Sequence, residues 1–408
     1  MNVPEIVITG LGAISSIGKN AQSQWDAVVE GTSGGNTIQA FNPSETSLRG
    51  SVAHEITTFS PENYDFIEQR VTGEFTQFGL VAANEALEDA GLDPNDSEWE
   101  SSRVGTSFGT CFGGVKELGN DIRNGKFSFH ISIQFLPNLA AGHISSQFNA
   151  RGPNKAPTTA CAAGTHAIDT AVQELRQGRA DIMIVGGAEK AVHRFGVGGF
   201  DAIRAYSTSH NGEPTKACRP FDQDRDGVVV GDGSGALILE TREHAQRRGA
   251  DVYATVAGLG ASSDAMHPIS PPDDAHGLIH AIEMAITDAG IKKNAIDYVS
   301  AHGTSTPGGD VHEATAVNKV FGDQKMPYVT AMKSQTGHTL GAAGAIEAVI
   351  AVQSIINNVI PPTINLENRD SECDIPVVTE PIEQNVSTVL SNSAGFGGTN
   401  GTVIFTDA

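Results

Sequence analysis

The chain has 408 residues, of which 39% are hydrophobic and 18% charged, a composition typical of a folded protein rather than a disordered one. Its net charge of −22 at pH 7 argues against nucleic acid or an anionic membrane as the main partner. Four cysteines are too few for a disulfide scaffold, so we expect a reducing, cytoplasmic setting. The first residues show no signal-peptide pattern, and we expect no apolar run long enough to span a membrane.

Strand, loop and helix alternate along the chain. The pattern begins with a predicted buried strand at residues 5–9 and a turn at residues 10–12. Further buried strands are predicted at residues 181–187 and 297–301, and a helix at residues 165–176. This alternation predicts an α/β fold.

One sequence pattern recurs about half a chain length apart. Residues 82–92 (AANEALEDAGL) and 281–291 (AIEMAITDAGI) share two Ala four residues apart, then Asp-Ala-Gly and an aliphatic residue. Each segment precedes a predicted strand that ends in a similar turn, at residues 108–110 and 302–304. The recurrence favours two similar α/β halves. We therefore expect domains at residues 1–250 and 251–408.

Cys161 is a candidate nucleophile. It lies in APTTACAAGTH, among small residues, after an apparent strand and before a predicted helix. A thiol at a helix N-terminus is favoured as the thiolate, and small neighbours let a substrate carbonyl approach it. A buried structural cysteine is the usual alternative, and the local setting alone leaves both interpretations open.

Two histidines lie in polar loops at predicted strand ends, where open α/β sheets place their sites. They are His302 in AHGTSTPGGD and His338 in KSQTGHTLGAAG. Lys333 adds a cation five residues before His338. The Gly-dense turn SNSAGFGGTN, with Phe396 as its bulky residue, leaves backbone N–H groups free to bind an oxyanion or a phosphate.

Four other kinds of site are excluded because the chain lacks a residue or a spacing that each one requires. A dinucleotide-binding turn needs Gly where the chain has Ser15, and a calcium loop starting at Asp222 needs Glu where the chain has Gly233. The signature around a papain-like cysteine is absent, and no Cys/His spacing fits a zinc site.

Taken together, these segments resemble the β-ketoacyl-acyl-carrier-protein synthases, of the type II kind found in bacterial fatty-acid synthesis. The resemblance runs from IVITGLGAISSIG to SNSAGFGGTNGTVIF and includes TTACAAGTHAI, VGGAEKA, RPFDQDRDGVVVGDGSGALILE, AHGTSTPGGD and KSQTGHTLGAAGAIEA. It implies a thiolase-like fold, in which two similar α/β halves form a layered αβαβα core, and a homodimer. It also implies acyl transfer from thioesters, with malonyl- and acyl-acyl carrier protein as substrates and no metal or organic cofactor.

The resemblance assigns roles to individual residues. Cys161 would accept the acyl group, and His302 and His338 would serve malonyl decarboxylation. Supporting and substrate-binding residues follow in the same way: Lys333 with its acidic partner Glu347, the further acidic residue Glu313, the gating Phe396, Gly397 beside it, and Thr304 and Thr306 on the phosphopantetheine arm. Phe112, in the turn GTCFGG, would lie beside the acyl tunnel across the dimer interface and shorten the accepted chain.

The resemblance also implies a carrier-protein surface and leaves a cation site open. Basic residues that match docking positions are Arg70, Lys126 and Arg204, whereas Ile67 and Val71 replace lysines. Some relatives hold a structural monovalent cation, which Glu347, Ser391 and Asn392 would match, but Ser300 stands where relatives often have Asn.

Three other functions compete with fatty-acid elongation. A polyketide or specialised-lipid ketosynthase would use the same chemistry and is barely separable by sequence. A non-catalytic chain-length factor lacks the nucleophile that Cys161 supplies. A thiolase would need a second active-site cysteine, and Cys111, Cys218 and Cys373 lie in no matching motif.

Overall fold

The computed structural model describes residues 3–97, 99–322 and 325–408. Its strands are β1 (Ile6–Ser15), β2 (Asn36–Thr37), β3 (Val52–Ala53), β4 (Val104–Gly109), β5 (Asn154–Lys155), β6 (Ile182–Glu189), β7 (Gly233–Thr241), β8 (Ala254–Ser263), β9 (Tyr298–Ser300), β10 (Tyr328–Thr330), β11 (Val359–Ile360), β12 (Ile382–Glu383), β13 (Thr388–Gly395) and β14 (Thr399–Thr406).

The α-helices are α1 (Ala21–Glu30), α2 (Glu74–Asp89), α3 (Val115–Asn124), α4 (Ile131–Phe135), α5 (Leu139–Gln147), α6 (Ala163–Arg176), α7 (Arg194–Ala202), α8 (Arg242–Arg248), α9 (His276–Ala289), α10 (Pro307–Phe321), α11 (Lys333–Thr336) and α12 (Ala343–Asn357). Short 3-10 turns at Ala160–Ala162 and Leu340–Ala342 lead directly into α6 and α12.

The main sheet consists of two five-stranded halves with the same strand order. It runs β10-β9-β13-β14-β8 in one half and continues β1-β7-β6-β4-β5 in the other. In each half two long strands pair antiparallel with their neighbours, while the outer pairs β4–β6, β4–β5, β9–β13 and β9–β10 are parallel. The halves meet where β1 pairs with β8 over two residue pairs. The expectation of two similar α/β halves is confirmed.

Helices complete the layers. Helix α2 packs on β1, β7 and β6 of one half, and α9 packs on β8 and β14 of the other. Helices α6 and α12 contact each other and strands of both halves, so they form the central layer. This arrangement brings the N-termini of α6 and α12 together, and with them the segments that the sequence marked as chemical.

The turn predicted at residues 10–12 is wrong, because β1 continues through it. Its glycines serve close packing instead. A Cβ at Gly10 would lie 2.1 Å from the carbonyl oxygen of Ala86, and one at Gly12 would lie 2.0 Å from that of Ala82. Helix α2 therefore rests directly on the backbone of the strand. The strand expected before Cys161 is also absent, since β5 ends at Lys155 and residues 156–159 are irregular.

The expectation of no membrane-length apolar run is wrong for one stretch of the described chain. Leu340–Asn357 has the length and composition of a span, but 89% of it is buried inside the protein. It comprises a 3-10 turn and α12, and its apolar surface is covered by both halves.

Candidate active site

Cys161 sits in the 3-10 turn Ala160–Ala162, which places its thiol at the N-terminus of the 14-residue helix α6. The turn is sharp, since Ala160 has a φ of 51°, a left-handed conformation uncommon for a residue with a side chain. The thiol is buried, with 5% of the residue exposed. A Cβ at Gly395 would lie 2.9 Å from the carbonyl oxygen of Thr159 and 3.2 Å from the amide nitrogen of Cys161, so this position has little room for a side chain.

Both candidate histidines converge on this thiol. One ligand-type atom from each of Cys161, His302 and His338 lies within 4.8 Å of the others. The two imidazole rings are nearly perpendicular, with centroids 5.3 Å apart. Both histidines are buried. The cysteine and the histidines come from different halves of the fold, because His302 follows β9, His338 follows α11, and Cys161 precedes α6.

The histidines are held neutral, and one tautomer is fixed. Burial, followed by the nearby charge of Lys333, lowers the pKa of both His302 and His338 well below the usual value. Nδ1 of His338 accepts the amide hydrogen of Leu340 at 3.3 Å. A neutral imidazole that accepts at Nδ1 carries its hydrogen on Nε2, so His338 presents an N–H donor.

A buried ion pair lies beside these rings. Lys333 Nζ donates to Glu347 Oε1 at 2.5 Å, and each side chain is at most 2% exposed. Burial raises the pKa of Glu347 to about 7, and the charge and hydrogen bond of Lys333 act against that rise. Burial also raises the pKa of Glu313. The Glu313 carboxylate accepts the amide hydrogens of His302 and Gly303, both at 2.8 Å, and so anchors the loop after β9.

Opposing effects act on the pKa of the Cys161 thiol. Burial raises the pKa of Cys161 to about 12, whereas the charge of Lys333 lowers it and that of Glu189 raises it. Hydrogen bonds from the backbone of Phe396 and of Cys161 itself lower it further. Two backbone N–H groups at the sulfur are the arrangement that stabilises an oxyanion during acyl transfer.

A cavity of about 260 Å³ leads to the thiol. Its lining includes Cys161, both histidines, Glu313, Thr304, Thr306, Phe200 and Phe396. The hydroxyls of Thr304 and Thr306 are 2.9 Å apart, and Thr306 also caps α10 by accepting from the amide of Gly309. The cavity therefore has polar groups near its threonines and apolar walls near the aromatic residues.

Phe396 stands at the border of this cavity. It is 40% exposed, and its ring centroid lies 5.7 Å from that of Phe200. Gly397, with a φ of 90°, donates its amide hydrogen to the carbonyl oxygen of Pro268 at 2.7 Å. Hydrogen bonds from Gly397 to Pro268 and from Asp264 to Gly398 thus tie the loop that carries Phe396 to residues 264–268.

Phe112 lies outside the cavity lining. It packs in the apolar cluster of its own chain that contains Cys161, Phe200 and Leu340. Its place beside an acyl tunnel across a dimer interface stays a prediction. Its ring lies 6.0 Å from that of His193.

The three candidate docking residues are exposed. Arg204 directly precedes Ala205, which lines the cavity. The backbone carbonyl of Arg70 accepts from Gln134, in the segment that follows Lys126. Arg204 is therefore the member of the set that lies at the cavity.

Several buried oxygens fit a monovalent cation. Ser300 and Ser391 are in register on neighbouring strands. Their hydroxyls have no hydrogen-bond partner among the residues that the structure describes, and the same is true of Glu347 Oε2. Asn392 is engaged, since its side-chain oxygen accepts from Thr402. Hydroxyl and carboxylate oxygens suit a hard cation, so the serine at position 300 does not by itself disqualify the site.

The aspartates that imitate a calcium loop have structural partners instead. Asp222 accepts from Arg219 and from the amides of Glu367 and Asn368, and Asp226 accepts from the 207–209 segment. This use agrees with the rejection of a calcium site.

Three residues at the site escaped the sequence analysis. Phe200 lies against the Phe396 ring, His166 bridges Thr159 and the carbonyl of Asn400, and Glu189 accepts from the amide of Phe112. His166 lies in the quoted segment TTACAAGTHAI, and Glu189 lies in VGGAEKA. The sequence does not reveal which groups a carboxylate at a strand end will contact in the fold.

The fold and this site define a thiolase-fold condensing enzyme, which transfers acyl groups through a cysteine-containing pocket. Residues 4–245 match the model of the β-ketoacyl synthase N-terminal domain, and residues 253–367 match that of the C-terminal domain. The chain belongs to the β-ketoacyl synthase family.

Curated relatives match along almost their whole length. The chain is 42% identical to 3-oxoacyl-[acyl-carrier-protein] synthase 2 of Coxiella burnetii, over 99% of both chains, and 42% identical to that of Vibrio cholerae, again over 99% of both. Among solved structures, a β-ketoacyl synthase from Burkholderia phymatum superposes with a TM-score of 0.91 at 31% identity, covering 99% of this chain and all of the other. A type II polyketide ketosynthase in complex with its acyl carrier protein gives 0.90 at 29% identity, with both chains fully covered.

Proposed function

We propose that this enzyme condenses an acyl thioester with malonyl-acyl carrier protein to give 3-oxoacyl-acyl carrier protein, in fatty-acid elongation. The observation that carries the proposal is the convergence of the Cys161 thiol with two neutral imidazoles, within 4.8 Å. The names of the curated relatives support both the reaction and the carrier.

The first half-reaction uses Cys161. Its thiolate attacks the carbonyl carbon of the acyl thioester, the tetrahedral oxyanion accepts hydrogen bonds from the amides of Cys161 and Phe396, and the carrier leaves as its thiol after taking up a proton. The product is an acyl-enzyme. The charge of Lys333 favours the thiolate against the effect of burial.

The second half-reaction uses the histidines. Loss of carbon dioxide from the malonyl group leaves a carbanion whose charge spreads onto the thioester oxygen. The Nε2–H of His338 can donate to that oxygen, and a second donor from His302 completes the pair; one such donor contributes about 3–4 kcal/mol in comparable sites. The carbanion then attacks the acyl carbon, and the Cys161 thiolate leaves. The steps need no metal or organic cofactor, and we propose that the enzyme uses none in catalysis.

The partners follow from the surface. Large apolar side chains are exposed along one segment and beside it: Ile122, Phe127, Phe129, Ile133, Leu136 and Phe195. A patch of this kind is typical of a protein–protein interface, and we assign it to a second copy of this chain.

Arg70, Lys126 and Arg204 are proposed to dock the acidic carrier protein. The proposed compartment is the cytosol, where the free thiols of all four cysteines would persist.

A polyketide ketosynthase is the second candidate, because a type II polyketide ketosynthase superposes on the whole chain. Its identity of 29% is lower than the 42% shared with the 3-oxoacyl-[acyl-carrier-protein] synthases 2, which favours elongation of fatty acids.

The direct test mixes the enzyme with acyl-acyl carrier protein and malonyl-acyl carrier protein and weighs the products. We expect a carrier-bound chain longer by two carbons and bearing a 3-oxo group, and a Cys161→Ala variant that folds normally but yields none. Product formation by that variant, or none from the wild type with any acyl length, would overturn the proposal.

A further inference from the structure

Glu189 ends strand β6 and is completely buried, yet its carboxylate makes no ion pair among the described residues. Its hydrogen-bond partners are neutral donors. The amides of Cys111 and Phe112 donate at 2.6 and 3.1 Å, the Thr110 hydroxyl at 3.1 Å, and the amide of Gly341 at 3.1 Å. A buried carboxylate costs free energy unless hydrogen bonds compensate it, so four convergent donors mark a built arrangement.

These donors belong to two different parts of the site. Three come from the turn after β4 that carries Phe112, and the fourth comes from the 3-10 turn after His338. In that second turn, successive amides are divided between two acceptors. Leu340 donates to His338 Nδ1 and Gly341 donates to Glu189. By binding the Gly341 amide, the carboxylate fixes this turn. The neighbouring amide of the same turn, that of Leu340, sets the His338 tautomer.

The charge of Glu189 also reaches the nucleophile. Burial raises the pKa of Cys111 and of Cys161, and the Glu189 carboxylate raises both further. The cation of Lys333 has the opposite effect on Cys161. Burial raises the pKa of the Glu189 carboxyl itself to about 7, so its ionised form opposes the Cys161 thiolate chiefly above that pH.

We infer that Glu189 is a positioning residue that ties the Phe112 turn to the His338 turn. It does not line the cavity; it acts through the two turns. The inference rests on the proposed function, because its readout is malonyl decarboxylation, whereas alkylation of Cys161 reports the effect of the Glu189 charge independently of that function.

The test compares Glu189→Gln and Glu189→Asp with Glu240→Gln, which alters another buried, hydrogen-bonded carboxylate at the opposite end of the neighbouring strand β7. Two quantities are measured for each variant: the pH midpoint for iodoacetamide alkylation of the Cys161 peptide, by mass spectrometry, and carbon dioxide release from malonyl-acyl carrier protein. Thermal unfolding of each variant measures how much stability its substitution removes, so that the variants can be compared at an equal loss of stability.

Removing the charge should lower the Cys161 alkylation midpoint by about one pH unit in Glu189→Gln. The Asp variant keeps the charge, so its midpoint should stay at the wild-type value. Both should slow decarboxylation by about tenfold to a hundredfold, because a Gln amide or a shorter carboxylate cannot hold all four donors in place. Glu240→Gln should change neither quantity.

The inference is wrong if Glu189→Gln releases carbon dioxide as fast as Glu240→Gln does, at an equal loss of stability. Should Glu189→Gln not fold, an Asp variant with wild-type decarboxylation overturns the positioning role. A wild type that releases no carbon dioxide counts against the proposed function instead, and the alkylation midpoints still decide the effect of the charge.

Discussion

At the scale of single residues, one buried cation acts on the proposed nucleophile, Cys161. Lys333 lowers the pKa of Cys161 against the larger effect of burial. Replacing Lys333 alone would leave Glu347 buried without its partner, so the cleaner change is Lys333→Met with Glu347→Gln. We expect alkylation of Cys161 at pH 8 to slow by about tenfold, because a rise of about one unit in the thiol pKa lowers the thiolate fraction about tenfold. Mass spectrometry of the Cys161 peptide measures the rate, and Lys319→Met, at an exposed lysine, is the control. An unchanged rate would show that Lys333 does not tune the thiol.

The histidines should matter for one half-reaction more than for the other. We expect His338→Ala to slow carbon dioxide release from malonyl-acyl carrier protein by about a hundredfold, because it removes a donor to the developing oxyanion. Acylation of Cys161, followed by intact-protein mass, should change by less than about tenfold, because the backbone amides serve that step. His280→Ala, at an exposed helix position, is the control. Normal carbon dioxide release with lost acylation would reverse the assignment.

At the scale of elements, the turn after β4 should limit the acyl chain. Phe112 occupies the same apolar cluster as Cys161, and a packed cluster has little spare volume for a long chain. We expect the wild type to prefer short and medium primers. Phe112→Ala should extend the accepted length, with short-primer rates roughly unchanged, in a series of acyl-acyl carrier proteins of increasing length. Equal wild-type rates for long and short primers would contradict this role.

The junction of β7 with α8 should make stability depend on pH through one carboxyl. Burial opposes ionisation of Glu240, but hydrogen bonds from His244, Arg248 and Thr9 outweigh it and lower the pKa to about 2. A depressed folded-state pKa stabilises the protein fully above the unfolded value near 4.5, and this contribution is lost as pH falls towards 2. The difference in unfolding free energy between wild type and Glu240→Gln should therefore shrink over that range. Urea unfolding at several pH values measures it, and a constant difference would be evidence against this linkage.

The elements also show what sequence patterns can and cannot predict. Apolar runs identified β6 and β9 because buried strands need continuous apolar residues. The turn predicted at residues 10–12 was wrong. A glycine that is needed for a turn and one that is needed for close contact with a helix have the same sequence pattern, and only the position of α2 separates them. The convergence of His302 and His338 on Cys161 was predicted through family resemblance. The donors to Glu189 were not, because they are set by tertiary packing alone.

At the scale of the whole molecule, the charge of −22 should make stability sensitive to salt. Like charges repel more in the compact state, and about 1 M salt shortens the screening length to about 3 Å. We expect the Tm to rise between about 0.05 and about 1 M KCl. The control is the same titration near the isoelectric point of 4.9, where the rise should be much smaller. Equal rises at both pH values would assign the effect to something other than net charge.

The two halves also carry the same turn, and only one copy can hold a nucleophile. TACAAG at residues 159–164 is matched by TLGAAG at residues 339–344, and the residues before Cys161 and Gly341 have φ values of 51° and 48°. A Cβ at Gly341 would lie 2.4 Å from the amide nitrogen of Cys111. A second thiol is therefore sterically forbidden, and the Gly341 amide is already taken by Glu189. Of the two matching turns, only the one at Cys161 has room for a thiol, and the one at Gly341 supplies a hydrogen bond to Glu189 instead.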